Sequence, residues 1–185
     1  MSAPENNEAY ATRLLHEARQ RTLAGWEFAD SESTTSSPPK IRKVGVIGAG
    51  VMGSGIAQWC AACGHEVVLR DVQPEFIERG MDVIRGIFTG NVQRERTTSQ
   101  EAEAGLARIG TTTTWEGFTE CDLVIEAIVE DVAVKQELFQ ELVEVMRADA
   151  LLASNTSALP LEQIARGVRH PERVLGLHFF NPVAM

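Results

Sequence analysis

Residues 44–71 read VGVIGAGVMGSGIAQWCAACGHEVVLRD and contain the clearest evidence for the fold of this chain. An apolar run opens it, and the turn Gly48-Ala49-Gly50-Val51-Met52-Gly53 follows at once. The residues after the turn predict a helix over 54–63, which Gly64 ends, and then a second buried strand over 66–70. Strand, glycine turn, helix and strand in this order are typical of the first unit of a doubly wound parallel sheet.

The three glycines of the turn have a chemical interpretation. In a dinucleotide site the first glycine gives the tight turn, the second lets the backbone approach a pyrophosphate, and the third lets the helix pack closely on the strand. The free N–H groups and the positive dipole end of the helix then hold the phosphates. A merely structural turn is the alternative, but the flanking strand and helix and the acid at the next strand end favour a cofactor site. The predicted cofactor-binding residues are Gly48, Gly50, Val51, Met52, Gly53 and Asp71.

Asp71 bears on which cofactor binds. A carboxylate at the end of the second strand can accept hydrogen bonds from an adenosine ribose, whereas it would repel the 2′-phosphate of NADP. The predicted cofactor is therefore NAD. The neighbouring Arg70 could bind such a phosphate, but adjacent strand residues point to opposite faces, so we expect Arg70 to face away into solvent.

From Lys43 onward, short apolar segments alternate with helical ones, which is the pattern of a doubly wound sheet. We predict a Rossmann-like α/β fold with a mainly parallel sheet and helices on both faces. Further helices are expected over 74–88, within 91–105 as a second helical arm, and over 132–147. Further strands are expected over 111–114, 123–127, 151–154 and 174–180.

The first 40 residues differ from the rest in composition. Residues 8–26 predict an amphipathic helix, and the Ser/Thr/Pro-rich tract 30–39 predicts a linker. The helix would be either a tethered surface element or one that docks on a partner or on a further domain. We therefore predict two regions: a helix and linker over 1–40, and a dinucleotide-binding domain over 41–185.

Composition excludes several classes of function. The net charge of -9 argues against nucleic-acid binding, because phosphate contacts need clustered Lys and Arg side chains. No apolar run approaches the roughly 20 residues of a membrane span. The N-terminus carries Glu5 and Glu8, where a secretory signal would be basic and then apolar. We expect a cytoplasmic protein without a membrane or nucleic-acid partner.

Cys60 and Cys63 form a CxxC pair, a spacing that in other settings binds zinc or carries out thiol redox chemistry. Here the pair falls inside a predicted helix, with no second Cys or His pair at metal spacing. We therefore expect two small core-facing residues and no metal site. Cys121 is expected to pack just ahead of a strand.

Polar segments follow three of the predicted strands in the last third of the chain. Glu126 and Glu130 come just past one strand, the segment SNTS (154–157) follows the next, and GLHFFNP (176–182) ends the one after that. The carboxyl ends of parallel strands form the usual ligand edge of such sheets. Together with the cofactor turn, these segments predict a second part of the site at this edge.

Each segment also has a plainer explanation: Glu130 as a helix-start charge, Ser157 as a helix cap and His178 as a hydrogen-bonded core histidine. Oxidising a secondary alcohol with NAD requires a base for the hydroxyl proton, and a neutral imidazole suits that task. Of the four histidines, only His178 lies at the expected carboxyl end of a strand. Ser157 could hydrogen-bond the same oxygen, and Asn155 could orient the imidazole or the nicotinamide.

Four motifs taken together resemble a known family, the L-3-hydroxyacyl-CoA dehydrogenases of fatty-acid β-oxidation and butyrate metabolism. They span residues 43–183 in the family's order and at its spacing, and they read VIGAGVMGSGIA, EAIVEDVAVK, LASNTS and HPERVLGLHFFNPV. A sugar-acid or 3-hydroxyisobutyrate-type dehydrogenase fits less well, because HFFNP points to the acyl-CoA branch.

The resemblance implies roles at the substrate end of the site. His178 matches the catalytic base, Ser157 the contact to the substrate hydroxyl and thioester, and Asn155 a catalytic and cofactor contact. Arg94 lies near the basic residues that hold the CoA phosphates in that family.

At the cofactor end, Glu130 and Lys135 fall where the family contacts the nicotinamide half of NAD, and Asp71 falls where it contacts the adenosine ribose. The implied reaction is the NAD-dependent oxidation of (S)-3-hydroxyacyl-CoA to 3-oxoacyl-CoA.

The chain also departs from the family. In that family a glutamate that pairs with the histidine follows, and then a helical domain that closes the cleft and forms the dimer. Because this chain stops at Met185, we expect the C-terminal helical domain to be absent and turnover to be impaired. A homodimer or a larger multifunctional protein is expected if that domain is supplied, and region 1–40 is similar in character to the junction of multifunctional β-oxidation proteins. The alternative is a non-catalytic dinucleotide-binding module derived from such an enzyme.

Overall fold

The unit that begins at Lys40 is compact by itself, and a computed structural model of the protein describes its residues 40–183. The helix predicted over 8–26 and the linker predicted over 30–39 lie outside the described residues. No helix in the described part is long and apolar enough to cross a membrane.

Six strands form one sheet in which all neighbours run parallel, in the spatial order β3-β2-β1-β4-β5-β6. The strands are β1 (Lys43–Ile47), β2 (Glu66–Arg70), β3 (Ile109–Thr112), β4 (Leu123–Glu126), β5 (Leu151–Ser154) and β6 (Val174–Gly176). The order reverses between β1 and β4, as in a doubly wound sheet. The predicted Rossmann-like fold is confirmed.

Five helices connect the strands, and two short 3-10 turns (Phe118–Glu120 and Pro171–Arg173) complete the described part of the chain. The helices are α1 (Val51–Ala62), α2 (Pro74–Gln93), α3 (Ser99–Ala107), α4 (Val132–Val145) and α5 (Leu161–Ile164). The predicted second helical arm is therefore α3. It begins at a capping box, in which the Thr98 side chain accepts from the Glu101 amide and the Glu101 side chain accepts from the Thr98 amide.

The alternation of side chains along each strand divides the core between the two faces of the sheet. Val44 and Val46 of β1 pack with Ile56 of α1 and Ile84 of α2 on one face. On the other face, Ile47, Val68, Val124 and Leu152 pack with the fully buried Phe139 of α4 and Ile164 of α5. Apolar residues on both faces of a strand are typical of a parallel sheet covered by helices on both sides.

The strands end level with one another. Ile47, the last residue of β1, is paired with Arg70 of β2 and with Glu126 of β4. Glu126 is paired in turn with Ser154, and Ser154 with Gly176. The residues that follow these strands therefore meet at one edge of the sheet.

Several predicted boundaries were wrong. The first helix begins at Val51, three residues earlier than expected, because Gly50 already serves as its N-cap. The second helix continues from Phe88 to Gln93. The last strand ends at Gly176 and not at Phe180, because the chain leaves the sheet after Leu177 donates its amide to the Ser154 carbonyl.

Two expectations about side chains were also wrong. Cys60 is buried in the core as expected, but Cys63 is the exposed C-cap of α1, where Gly64 at φ +94° turns the chain away. Arg70 does not extend into solvent. Its guanidinium lies 3.8 Å from the centre of the Trp115 ring, and its Nε donates to the Thr114 carbonyl. Cys121 packs fully buried just ahead of β4, as predicted.

The glycine turn brings α1 against the end of β1. Gly48 has φ +100°, which a side chain rarely adopts, and a Cβ there would lie 2.6 Å from the Ala127 carbonyl oxygen. A Cβ at Gly53, in the first turn of α1, would lie only 1.7 Å from the Gly48 carbonyl oxygen. Only glycine at both positions allows this approach of helix to turn.

We expect Gly53→Ala to lower the free energy of unfolding by about 3 kcal/mol or more, because its methyl group meets backbone that cannot yield. Gly86→Ala, in the exposed middle of α2 where nothing lies within 4 Å, serves as a matched control. That control should raise stability by about 0.5–1 kcal/mol, since alanine favours the helix. Urea denaturation measures both values, and equal midpoints for the two variants would contradict the packing argument.

Candidate functional site

A cavity of about 630 Å³ lies along the glycine turn, and we call it the turn cavity. The turn, the end of β2, the start of α2 and the loop after β4 form its walls. The described residues contain nine exposed large hydrophobic side chains, and six of them line this cavity: Val51, Val72, Phe76, Val83, Val129 and Val134. Such a concentration of apolar surface in one concave site is typical of a small-molecule binding site.

Asp71 lies at the polar part of the turn cavity, directly after β2. Its Oδ2 accepts from the Ala49 amide at 2.7 Å, and its Oδ1 accepts from the Val72 amide at 2.7 Å. The carboxylate is therefore held by the glycine turn and by the loop after β2 before any ligand arrives. Arg79 of α2 also lines this cavity, with its guanidinium 5.0 Å from the Phe76 ring centre. Arg79 and Phe76 were not predicted as site residues, because only the packing of α2 brings them to this cavity.

The start of α1 is suited to an anionic group. No side chain caps this helix, no acid lies in its first turn, and the first helical hydrogen bond runs from the Ser54 amide to the Gly50 carbonyl at 2.9 Å. The amides of Val51, Met52 and Gly53 therefore have no partner within the helix. A Cβ at Gly50 would meet nothing within 4 Å, so the space in front of these amides is open. These residues fit a diphosphate.

A second cavity of about 330 Å³, the His178 cavity, adjoins the first, since Ala127 and Ile128 line both. Six residues predicted from sequence come together in it: Met52, Glu130, Lys135, Asn155, Ser157 and His178. Ile128 and the segment 179–181 complete its lining. The residues come from α1, α4 and three loops at the carboxyl edge, which the level strand ends bring together.

Asn155 holds the segment that carries the histidine. Its Oδ1 accepts from the Phe179 amide at 2.7 Å, while its own amide donates to the Glu126 carbonyl at 2.8 Å. The Phe179 ring contacts Trp59 of α1 edge to face, with 5.7 Å between the ring centres. The backbone beside His178 is therefore fixed on two sides.

Glu126 was expected just past a strand, but it is the last residue of β4 and is fully buried. Its Oε1 accepts from Lys135 Nζ at 2.6 Å and from the Ile128 amide at 2.8 Å, and its Oε2 accepts from Ser154 Oγ at 2.6 Å. Lys135 itself is 1% exposed. One feature of the sequence could have indicated the pair of Glu126 and Lys135: Lys135 lies about one turn into the helix that follows β4.

Glu130 links the same lysine to the loop that carries Ser157. Its Oε2 lies 3.2 Å from Lys135 Nζ, and its Oε1 accepts from Thr156 Oγ1 and from the Ser157 amide at 3.2 Å. Partial burial raises the pKa of Glu130, but the hydrogen bonds from Thr156 and Lys135 and the lysine charge outweigh it, so the pKa lies below its ordinary value. Glu130 is therefore ionised at neutral pH.

His178 is exposed in the cavity, and its ring meets the Phe180 ring edge to face with 4.7 Å between centres. Among residues 40–183, no carboxylate lies within hydrogen-bonding distance of its ring nitrogens. Arg94 is the C-cap of α2 and lines neither cavity. No group of three or more potential metal ligands occurs in the part of the chain that the structure describes.

Comparison with known proteins identifies the family. Residues 43–185 match the model of the 3-hydroxyacyl-CoA dehydrogenase, NAD binding domain. A probable 3-hydroxybutyryl-CoA dehydrogenase of Deinococcus radiodurans is 42% identical over 143 residues, which are 77% of this chain and 51% of that protein. The glyoxysomal fatty acid beta-oxidation multifunctional protein MFP-a of Cucumis sativus is 34% identical over 177 residues, 91% of this chain and 24% of that protein.

Among solved structures, the 3-hydroxybutyryl-CoA dehydrogenase of Escherichia coli K12 aligns with a TM-score of 0.76 and 41% identity, covering 78% of this chain and 31% of that one. The chain spans about half the length of the curated 3-hydroxybutyryl-CoA dehydrogenases that it matches. The predicted family is confirmed, and the NAD cofactor predicted from the turn and Asp71 is that of the matching domain. This chain belongs to the 3-hydroxyacyl-CoA dehydrogenase family, and it contains the family's NAD-binding domain.

Proposed function

We propose that this chain supplies the NAD-binding and catalytic-base part of an enzyme that oxidises (S)-3-hydroxyacyl-CoA to 3-oxoacyl-CoA, in fatty-acid β-oxidation or butyrate metabolism. One observation carries the proposal: the cavity with Asn155, Ser157 and His178 opens directly beside the glycine turn and shares Ala127 and Ile128 with it. Relatives with 41–44% identity are 3-hydroxybutyryl-CoA dehydrogenases by name, which supports a thioester substrate.

The residues that would hold NAD divide between the two cavities. Val51, Met52 and Gly53 would donate their amides to the diphosphate, with Gly48 and Gly50 leaving room for it. Asp71 would accept from the adenosine ribose, and the apolar wall of the turn cavity would receive the adenine. Glu130, Lys135 and Asn155 would contact the nicotinamide half. When bound, NAD supplies the hydride acceptor.

The remaining chemistry belongs to the protein. The His178 imidazole would take the proton from the substrate hydroxyl, which requires its neutral form. Ser157 would contact the same oxygen and the thioester. Asn155, by accepting from the Phe179 amide, would keep the imidazole at a fixed place in the cavity. Arg94, on α2, would contact a CoA phosphate.

We further propose that the first 40 residues are the counterpart of a junction in a multifunctional β-oxidation protein. In that case, this region and the NAD-binding domain follow each other along such a multifunctional protein. The alternative is that both belong to a homodimeric enzyme. The support is the extent of the alignments. The probable 3-hydroxybutyryl-CoA dehydrogenase from Deinococcus radiodurans matches 77% of the chain, whereas the multifunctional protein from Cucumis sativus matches 91%. The proposed location is the cytoplasm.

A second candidate is a dinucleotide-binding module without turnover. It is favoured by the His178 ring, which has no carboxylate partner among residues 40–183, because an imidazolium formed during the reaction would then lack a stabilising charge. The start of α1, by comparison, has all that a diphosphate requires. Binding of NADH without turnover would separate this candidate from the first.

We expect Asp71→Asn to raise the dissociation constant of NADH about tenfold or more, because hydrogen bonds to a charged group contribute roughly 1.5–3 kcal/mol. The dissociation constant of NADPH should rise less, since the repulsion of its 2′-phosphate is removed at the same time. Calorimetric titration measures both cofactors. Glu78→Gln, an exposed acid on α2, should leave both values unchanged, and an unchanged NADH affinity in Asp71→Asn would refute the ribose contact.

We expect His178→Asn to reduce the rate of acetoacetyl-CoA reduction by NADH by roughly 10²–10⁴-fold, the usual contribution of a positioned acid or base. Its NADH affinity should stay within about twofold, since the ring lies beyond the phosphate-binding turn. His170→Asn, at an exposed histidine paired with Glu172, is the matched control. Equal turnover in the two variants would exclude His178 as the base, and NADH binding with no turnover in the unmutated chain would favour the second candidate.

A further inference from the structure

The His178 cavity is lined by part of a charged group that we call the carboxylate cluster, formed by Glu126, Glu130 and Lys135. The three side chains are in direct contact, with Lys135 Nζ 2.6 Å from Glu126 Oε1 and 3.2 Å from Glu130 Oε2. Two carboxylates share one ammonium group, so the cluster carries a net charge of -1 when all three groups are ionised.

The exposure of the three side chains shows that the excess negative charge lies on Glu130, at the cavity. Glu126 is 0% exposed and Lys135 1%, and the oxygens of Glu126 are fully used by Lys135, Ser154 and the Ile128 amide. Lys135 and Glu126 thus neutralise each other away from water. The side chain of Glu130 is 40% exposed and lines the cavity, so the uncompensated carboxylate is the one that faces a ligand.

Other charges do not cancel it. Lys135 is the one Lys or Arg among the residues that line the His178 cavity in the described part of the chain, and its charge is already balanced by Glu126. His178 is the remaining titratable side chain in this lining, and it must be neutral to act as the base. A single negative charge beside a partly enclosed cavity acts on a ligand more strongly than it would in bulk water.

We propose that Glu130 discriminates between the two redox states of the cofactor, favouring the positively charged oxidised nicotinamide over the neutral reduced one. The inference rests on the proposed function, in which the nicotinamide half enters the His178 cavity. NAD⁺ and NADH share their adenosine and diphosphate, so contacts at Asp71 and at the start of α1 affect both alike. A charge near the ring, by contrast, acts on the two forms differently and so changes the ratio of their dissociation constants.

The test is a set of calorimetric titrations of the full 185-residue chain with NAD⁺ and with NADH. In Glu130→Gln, the ratio of the dissociation constant of NAD⁺ to that of NADH should rise by about five- to tenfold, the order expected for one unit charge in a partly screened site. Glu130→Met, which places no amide beside Lys135, should give the same shift. We use the ratio because a displacement of the loop 156–158 would weaken the binding of NAD⁺ and of NADH together and leave the ratio of their dissociation constants constant.

Two controls retain the charge near the ring. Glu130→Asp keeps the carboxylate, and Glu137→Gln removes an exposed carboxylate from α4, the helix that carries Lys135. Both should keep the ratio within about twofold of the unmutated chain, since charges in water are screened. A ratio that stays constant in both neutral Glu130 variants, while NADH still binds, would overturn the inference and leave the proposed function intact. If neither cofactor binds the unmutated chain, the proposed function fails and this inference fails with it.

Discussion

The close approach of helix α1 to the end of strand β1 is the constraint on which the rest of the site depends. At Gly53 the gap to the Gly48 carbonyl is too small for even a methyl group, and Gly48 in turn lies against the Ala127 carbonyl beyond β4. The glycine turn, the start of α1 and the loop after β4 are thereby held together by backbone contacts. The amides at the start of α1 point to a fixed place because no side chain intervenes, and both cavities are arranged around that place.

The level carboxyl ends of the strands then bring the chemistry together. Glu126, Ser154 and Gly176 are aligned across β4, β5 and β6, so the residues after them form one lining although they are far apart in sequence. The buried pair of Glu126 and Lys135 ties α4 to the end of β4, and Glu130 ties the same lysine to the loop with Ser157. Breaking one partner of such a pair is costly, because it leaves a buried charge without compensation.

Much of this arrangement could be predicted from the sequence, because it depends on local patterns. β2 and β5 begin and end at the predicted residues, since each is a short apolar run between turn signals. Six residues of the His178 cavity were also predicted, through the glycine turn, the strand ends and the resemblance to a known family. Contacts between distant segments could not be. Examples are the stacking of Arg70 on Trp115, the burial of Glu126 and the place of Arg79 in the wall of the turn cavity. They depend on how distant segments pack, and no short-range pattern encodes them. The early end of β6 belongs with these, because the chain after it is held by Asn155 of another loop.

The hydrogen bond from the Ala49 amide to Asp71 has a further consequence. It ties the glycine turn to the next strand at 2.7 Å in the protein alone, with no ligand taking part. The conformational entropy of this loop is therefore lost during folding and not at the moment of encounter. A rigid, preorganised cradle of this kind lets a long and flexible cofactor bind with less loss of disorder on the protein side, so that association costs mainly the ordering of the cofactor itself.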